Sequence, residues 1–290
     1  MDARSSPAAE VARASQLLRT RRYAEAWPLY RSRRWAGYDM LRTTANYPEW
    51  SGEDPAGKHI AVVAEQGFGD QIMFGRWLPE LVRRGARVTA VVNPFFLSRL
   101  FETMGVSTKP SFTDRPLPPA DFWVYFGDLP HCMDAAAPVE AHYLPIPTKV
   151  GGGVGVMASG SPTHANDANR SLSASATARL RQMGRDLSPA ATGAVDFLET
   201  AEIVATLDLV VTVDTALAHL AGALGKRTCV LLPHQGMDWR WNDGVQSDWY
   251  PSFRLFKQPP DGDWHAILNE VEAMINSGRR QSNWPLPSSC

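Results

Sequence analysis

The chain has 290 residues, of which 44% are hydrophobic, and its formal net charge is -1 at pH 7. This length suits two domains of ordinary size or one large one, and the apolar content is sufficient for packed cores. The near-neutral charge argues against broad affinity for nucleic acid. The apolar runs are too short to span a membrane, and the N-terminus lacks the apolar core of a secretory signal.

The cysteines indicate the compartment of the protein. Cys132, Cys229 and Cys290 are scattered without the spacing of a metal site, which is typical of a reducing compartment. We therefore expect a cytoplasmic protein, for which peripheral association with the inner membrane stays open.

Half of the 10 tryptophans follow residue 238. Their rings either pack in a core or stack on sugars and bases.

The N-terminal segment, residues 1–48, is predicted to be helical between residues 9 and 34. Residues 21–30, RRYAEAWPLY, resemble the second helix of a tetratricopeptide repeat. A solenoid needs several repeats to be stable, and here there is one partial repeat. The pattern therefore favours a helical cap that packs on the next domain.

Two α/β segments follow, at residues 49–149 and 150–278, and a tail occupies residues 279–290. The first is predicted to contain strands at 59–64, 87–92 and 121–126 and helices at 71–84 and 95–104. The second is predicted to contain strands at 154–158, 209–213, 227–232 and 254–256 and helices at 174–183, 198–207, 216–224 and 263–275. The proline- and glycine-rich residues 135–153 are the candidate linker. This alternation predicts an α/β protein with two Rossmann-like domains facing a cleft.

The most informative stretch is residues 208–225, DLVVTVDTALAHLAGALG, which reads as a buried strand, a turn and a helix that ends at Gly225. Ligands of open α/β sheets bind beyond the carboxyl ends of strands, and helix N-termini attract anions. Asp214 and Thr215 lie in the turn, Ala216 begins the helix, and His219 shares one helix face with Thr215. We predict that the Thr215 hydroxyl, the His219 imidazole and the free backbone N–H groups bind a phosphate or diphosphate, although His219 could instead be a core histidine.

A polar loop follows the first strand of the second segment. It places Ser159, Gly160, His164, Asn166 and Arg170 at a carboxyl strand end, opposite the helix start. Arg170 could neutralise a diphosphate, bidentately or by charge alone. The same residues also suit a plain loop, because such residues favour turns.

Residues 66–70, QGFGD, lie between a strand and a helix of the first segment. A dinucleotide site is a weak alternative, because Ile72 replaces the third glycine and Asn93 ends the second strand where an acid is expected. Asp70 is either an N-cap or a carboxylate that accepts a proton from an acceptor hydroxyl. Asp261 and Asp263 match a metal-binding D-x-D pattern, but capping of the last helix explains them better.

The ordered motifs resemble one group of proteins. In the first segment they are EQGFGD at 65–70 and RWLP at 76–79. In the second segment they are GSPTHAND at 160–167, RSL at 170–172, the stretch 208–222, DWRW at 238–241 and WYP at 249–251. Together they resemble the bacterial glycosyltransferase-like domain found behind tetratricopeptide repeats. That group is similar to the heptosyltransferases of glycosyltransferase family 9, which have the GT-B fold. The resemblance covers roughly residues 15 to 278.

The resemblance implies a GT-B-like fold with a repeat remnant at its N-terminus. It implies a hexosyl- or heptosyltransferase-like enzyme that uses a nucleotide-sugar donor, with inversion and without a metal or other cofactor. Asp70 matches the proposed catalytic base. Gly69 joins the second-segment residues named above as nucleotide-sugar contacts. The acceptor would be a glycan, a lipid-linked group or a protein, and the oligomeric state stays open.

Three departures from the family pattern affect this interpretation. Ala216 replaces a common glycine, residues 184–197 leave little room for an expected strand, and the repeat solenoid is reduced to one helical remnant. The shortened second segment and the lost repeats favour an alternative function, a non-catalytic nucleotide- or glycan-binding scaffold that kept the fold.

Overall fold

The computed structural model describes residues 6–36, 45–93, 95–111, 116–135, 137–138 and 142–277. The chain divides into two compact units, residues 1–144 and 145–290. Within the described ranges, no helix combines the length and the apolar character needed to cross a bilayer.

The first unit is a parallel sheet with helices, preceded by a helical segment. Its elements are α1 (Pro7–Arg19), α2 (Tyr23–Tyr30), β1 (His59–Val63), α3 (Phe68–Phe74), α4 (Leu78–Arg83), β2 (Arg87–Val92), α5 (Ser98–Glu102), β3 (Ser107–Pro110), β4 (Phe122–Tyr125) and α6 (Leu129–Cys132). The strand order is β3-β2-β1-β4, and all described pairings are parallel. Strands β1 and β2 are apolar runs that are buried almost throughout, as a sheet covered on both faces requires.

The N-terminal helices pack on this unit, as the sequence predicts. The buried residues Val11, Ala14, Leu17 and Leu18 line one face of α1. From α2, the indole Nε1 of Trp27 donates a hydrogen bond to the carbonyl of Ala135 at 3.0 Å. The segment is thus part of the core of the first unit. Its descent from a tetratricopeptide repeat stays a prediction.

The second unit is a parallel sheet of the same kind. Its elements are β5 (Val154–Met157), α7 (Asp167–Arg170), α8 (Ala174–Met183), β6 (Arg185–Asp186), α9 (Pro189–Thr192), α10 (Phe197–Ala205), β7 (Leu209–Val213), α11 (Ala216–Ala223), β8 (Thr228–Leu232), β9 (Phe253–Lys257) and α12 (Trp264–Ser277). The strand order is β6-β5-β7-β8-β9, in parallel pairs. Val211, Cys229 and Leu231 of the sheet pack with Leu180 of α8 and Leu268 of α12 in one core.

Three predicted details differ from the structure. The helix after β1 begins at Phe68, and Gly67 takes the N-cap position, so Asp70 is not the N-cap. The helix is interrupted by a 3-10 turn at Gly75–Trp77, where a Cβ on Gly75 would lie 2.8 Å from the Phe101 ring. The edge strand β3 is not among the predicted strands, because four residues ending in proline give little strand pattern.

The strand expected between residues 184 and 197 exists, but it is only two residues long. Arg185 and Asp186 of β6 pair with Gly155 and Val156 of β5. Gly184 leads into it, and a Cβ there would lie 2.3 Å from the Val154 carbonyl oxygen. A larger residue could not bring the chain this close to β5, so the glycine makes the short strand feasible.

Candidate functional site

The candidate site lies at the carboxyl edge of the second sheet, which is the edge where its parallel strands end. Strands β5 and β7 are neighbours, and the chain extends the sheet in opposite directions from them. Such a reversal is a topological switch point, where the loops of an open α/β sheet leave a crevice for ligands. The loops after β5 and β7 carry the predicted binding residues of this unit.

Helix α11 begins at this switch point. Thr215 is its N-cap, with extended backbone angles, and its hydroxyl lies 3.3 Å from that of Thr212 rather than capping the helix. Ala216 is the first helical residue. The backbone N–H groups of a first helical turn lack intrahelical acceptors, and the helix dipole adds partial positive charge there. The predicted strand–turn–helix is therefore confirmed, and its geometry suits an anion.

Arg170 connects the two loops. Its Nη1 donates to the main-chain carbonyl of Asp214 at 3.0 Å, and its Nε pairs with Asp167 at 3.1 Å. The guanidinium lies against Gly160, where an added Cβ would come within 2.5 Å of Nη2. Gly160 donates its own N–H to Ser171 Oγ at 3.0 Å. The structure thus brings Gly160, Arg170 and Asp214 together, as the sequence predicts.

The carboxylate of Asp214 sits among other charges. Burial and the carboxylate of Asp238 raise the pKa of Asp214 to about 6, against the opposing effects of Trp241, Arg240 and Arg170. Burial would also raise the pKa of Asp238, but the guanidinium and backbone N–H of Arg240 outweigh it and lower that pKa. We call Arg170, Asp214, Asp238 and Arg240 the Asp214 cluster.

His219 is buried in an aromatic cluster of the second unit. Its Nδ1 lies 3.0 Å from the Tyr250 hydroxyl, and its ring stacks on Trp241 at 5.5 Å between centroids. Gly222, one turn later, is in close contact with Tyr250, because an added Cβ would lie 2.2 Å from that ring. The geometry matches the core-histidine interpretation. A diphosphate contact by His219 stays a prediction.

The rest of the polar loop after β5 is largely engaged in local bonds. Asn166 Nδ2 donates to the carbonyls of Gln235 and Gly236, at 3.2 and 3.0 Å, and so joins this loop to the one after β8. His164 Nδ1 accepts the Asn166 N–H at 3.1 Å. Ser159 and His164 are exposed. Their role as nucleotide-sugar contacts stays a prediction.

In the first unit, Asp70 and Gly69 lie in the first turn of α3, directly beyond β1, and both are partly exposed. Strands β1 and β4 form the switch point of this sheet. The loop before α3 is held by Gln71, whose Nε2 donates to the Gln66 carbonyl at 2.9 Å. Asp70 thus lies at a helix start beyond a strand of the switch point, a position compatible with the predicted base. Its role as a base stays a prediction.

The structure also reveals a buried charge cluster that the sequence did not predict. Arg33, from the N-terminal segment, donates to Glu65 at 2.7 Å and to Asp128 at 2.7 Å, and all three side chains are 0–1% exposed. Glu65 also accepts the Gly127 N–H at 2.7 Å. We call these residues the Arg33 cluster. The two acids follow β1 and β4, so Arg33 fills the switch point of the first sheet.

The late tryptophans and the D-x-D pattern have structural explanations. Trp239, Trp241, Trp249 and Trp264 are all buried, which supports packing, and Trp284 lies outside the described residues. Asp263 accepts the His265 N–H at 2.8 Å and so caps α12. The part of the chain that the structure describes contains no group of three or more His, Cys, Asp or Glu side chains placed to hold a metal ion.

Comparison with known proteins shows that part of the chain is similar to one family. Residues 160–232 match the model of glycosyltransferase family 9 (heptosyltransferase). The chain therefore carries a segment that is similar to the heptosyltransferases of this family. This family 9 segment runs from Gly160 through β7, α11 and β8, and so includes Arg170 and the α11 start.

Two individual proteins extend the comparison. The chain is similar in structure to E. coli heptosyltransferase WaaC with ADP, with a TM-score of 0.51 and 11% identity over 76% of this chain and 99% of that chain. This likeness shows a GT-B-like fold. Protein FlbA of Caulobacter vibrioides (strain ATCC 19089 / CIP 103742 / CB 15) is 40% identical over 74 residues. That match spans 25% of this chain and only 12% of the relative's length.

Proposed function

We propose that this chain is a glycosyltransferase that moves a sugar from a nucleotide-sugar donor to an acceptor hydroxyl, with inversion and without a metal. The observation that carries the proposal is the junction of Arg170, Gly160 and Asp214 at the start of α11. A guanidinium and a helix N-terminus at one switch point form a diphosphate-binding arrangement. It lies inside the family 9 segment.

The proposed reaction is a single displacement. The acceptor oxygen attacks the anomeric carbon, and the bond from that carbon to the phosphate oxygen breaks. The hydroxyl proton goes to the carboxylate of Asp70, which acts as general base. The departing nucleoside diphosphate takes the bonding electron pair, and Arg170 and the α11 N–H groups stabilise its charge. Acceptors of three kinds, glycan, lipid-linked and protein, fit this scheme.

A thermal-shift screen of the whole chain against ADP, UDP, GDP, CMP, dTDP and their sugars tests donor binding. ADP comes first because the similar solved structure contains it. A ligand at one hundred times its dissociation constant should stabilise the fold by about 2.7 kcal/mol. A folded sample that no nucleotide stabilises would favour the non-catalytic scaffold instead.

The role of Asp70 is tested with Asp70→Ala and the isosteric Asp70→Asn. We expect both variants to bind the donor nucleotide like the wild type. Turnover of the identified donor should fall by roughly 10²- to 10⁴-fold, because the general base is lost. Exposed Asp54→Asn, in the same unit, is the matched control. Wild-type turnover by Asp70→Asn would remove Asp70 from the mechanism.

A further inference from the structure

Two exposed phenylalanines follow β2 at the carboxyl edge of the first sheet. Phe95 is 74% exposed and Phe96 is 43% exposed, whereas the next residue, Leu97, is 0% exposed. The ring centroid of Phe96 lies 5.5 Å from that of Phe68, the first residue of α3. Phe68 is itself partly exposed. Phe68, Phe95 and Phe96 thus form one apolar surface, which we call the Phe95 patch.

Hydrogen bonds of Asn93 hold the two exposed rings in position. Its side-chain Oδ1 accepts the backbone N–H groups of Phe95 and Phe96, at 3.0 and 3.2 Å. Its carbonyl accepts the Leu97 N–H at 3.1 Å, and the Leu97 side chain is buried in the core. The turn after β2 is therefore fixed with its aromatic rings toward solvent. Exposed apolar patches on a folded domain mark interaction sites.

Two basic side chains lie near the patch. Arg99 is exposed in α5, the helix that follows the turn, and Lys109 is exposed in β3. Lys109 pairs in register with Val91 of β2, so it lies toward the same edge of the sheet. The acid between them in sequence, Glu102, accepts a hydrogen bond from Thr108 Oγ1 at 2.6 Å. Successive side chains of a strand point to opposite faces, so Lys109 points away from that carboxylate.

The shape and chemistry of the patch favour a lipid surface as its partner. A ring that is 74% exposed, as Phe95 is, projects from the surface. A partner protein needs a pocket that matches such a ring, and a sugar needs polar groups beside it. The side-chain oxygen of Asn93, the polar group closest along the chain, already accepts two backbone N–H groups. A bilayer interface receives projecting aromatic rings without a matching pocket, and its anionic head groups attract Lys and Arg.

We propose that the Phe95 patch, together with Arg99 and Lys109, docks the first unit on an anionic lipid surface. The rings enter the boundary between head groups and acyl chains, and the two cations contact the lipid phosphates. This docking does not depend on the proposed function. It bears on that function through position, because Phe68 and Asp70 share the first turn of α3. A docked chain holds Asp70 near the lipid, which favours the lipid-linked kind among the three kinds of acceptor.

Flotation of the whole chain with lipid vesicles tests the docking. One set of vesicles contains phosphatidylcholine alone, and the other contains phosphatidylcholine mixed with phosphatidylglycerol. The wild type should bind the mixed vesicles, and salt should weaken this binding. Phe95→Ser should lower the partition coefficient at least about tenfold, because an apolar side chain no longer enters the lipid. Phe95→Leu should retain most of the binding, since it keeps the apolar character.

Val82→Ser is the matched control for Phe95→Ser. Val82 is an exposed apolar residue of the same unit, in α4, but it lies shortly before β2 begins and so near the opposite edge of the sheet. Its substitution should leave vesicle binding unchanged.

A second variant tests the electrostatic part of the docking. Lys109→Gln should lower partitioning into the mixed vesicles about fivefold, the contribution of one cation at an anionic surface, and leave phosphatidylcholine vesicles unaffected. Lys58→Gln is its control, because Lys58 is an exposed lysine just before β1, at the amino edge of the same sheet.

Three results would overturn the inference. They are a wild type that does not bind the mixed vesicles, full binding by the double variant Phe95→Ser, Phe96→Ser, and a loss in Phe95→Leu as large as that in Phe95→Ser. The last result would indicate a partner that requires an aromatic ring, such as a sugar. Each leaves the proposed function intact, because the thermal-shift screen measures nucleotide binding without lipid.

Discussion

The two sheets have the same kind of switch point, but the charges beyond them are arranged differently. In the first unit, Arg33 is enclosed by Glu65 and Asp128, and each carboxylate has a cationic partner. In the second unit, burial and the neighbouring carboxylate of Asp238 raise the pKa of Asp214 to about 6. The side chain of Arg33 therefore fills the crevice at the switch point of the first sheet. The second unit holds a carboxyl group with a raised pKa, a property that is concentrated at functional sites.

The comparison teaches that a switch point alone does not identify a ligand site. Buried carboxylates that pair with cations stabilise one arrangement of the loops, whereas two neighbouring carboxylates leave a group with a perturbed pKa, as functional sites often do. The Arg33 cluster thus has a structural role, and it ties the N-terminal segment to the loop that precedes Asp70. The Tyr30 hydroxyl adds to this connection through Gln66 Oε1 at 3.3 Å.

The largest expected effect is the loss of stability when Arg33 is replaced, which tests the structural role of the Arg33 cluster. Arg33→Met would leave the buried carboxylate of Glu65 without its cation and Asp128 with Arg34 alone, so the free energy of unfolding should fall by about 3–5 kcal/mol. Denaturant unfolding followed by circular dichroism measures it. The control is Arg22→Met, whose salt bridge with Glu25 is more than half exposed and should contribute little to stability.

Neutralising Glu65 and Asp128 together with Arg33 shows how much of the lost stability is due to unpaired charge. The triple variant Arg33→Met, Glu65→Gln, Asp128→Asn should recover part of the lost stability, because no buried charge remains unpaired. A loss below about 1 kcal/mol in Arg33→Met would contradict a structural role for the cluster.

A smaller effect is expected from the pH dependence of the second unit. The folded-state pKa of Asp214, about 6, lies above its ordinary value, so folding favours the protonated acid. That contribution is present in full below about pH 4 and is lost as pH rises through about 6. Relative to Asp214→Asn, the wild type should lose about 1–2 kcal/mol of stability from pH 4 to 7, after allowance for partial solvent screening.

Unfolding titrations of both proteins across this range check the sign. The asparagine variant removes the titrating group and keeps the shape of the side chain, so ionisations other than that of the neighbouring Asp238 cancel in the difference. A constant difference between the two proteins from pH 4 to pH 7 would show that Asp214 titrates normally.

The smallest expected effect concerns the contact between Gly160 and Arg170. In Gly160→Ala, the new Cβ would collide with the guanidinium, since the built distance to Nη2 is 2.5 Å. The displaced arginine should weaken binding of inorganic diphosphate about tenfold, which corresponds to the loss of one charge-assisted interaction. Calorimetry at fixed ionic strength measures the change.

Gly152→Ala is the matched control for this substitution. Its Cβ would meet only the flexible carboxylate of Asp208, at 3.2 Å, at the opposite edge of the sheet. Diphosphate binding by Gly160→Ala that equals that of Gly152→Ala would mean that Arg170 does not need its observed position to bind the ligand.

Local sequence determined the elements that carry the second-unit site. The apolar run 209–213 and the helical stretch that ends at Gly225 predict β7 and α11 almost residue for residue, and Gly225 adopts the left-handed conformation that ends helices. Helix 174–183 and strand 87–92 were likewise predicted with the observed bounds. These features depend on periodicity and on glycine, which act over a few neighbouring residues.

Tertiary structure decided which charges meet. Arg33 and Asp128 are 95 residues apart in sequence, and Arg170 and Asp214 are 44 apart. The burial of His219 against Tyr250 and the approach of Arg240 to Asp214 likewise depend on how the segment after β8 packs on α11. Local patterns specify which residues form strands and helices. Long-range packing determines which side chains share a dry environment, and that environment sets their partners and protonation.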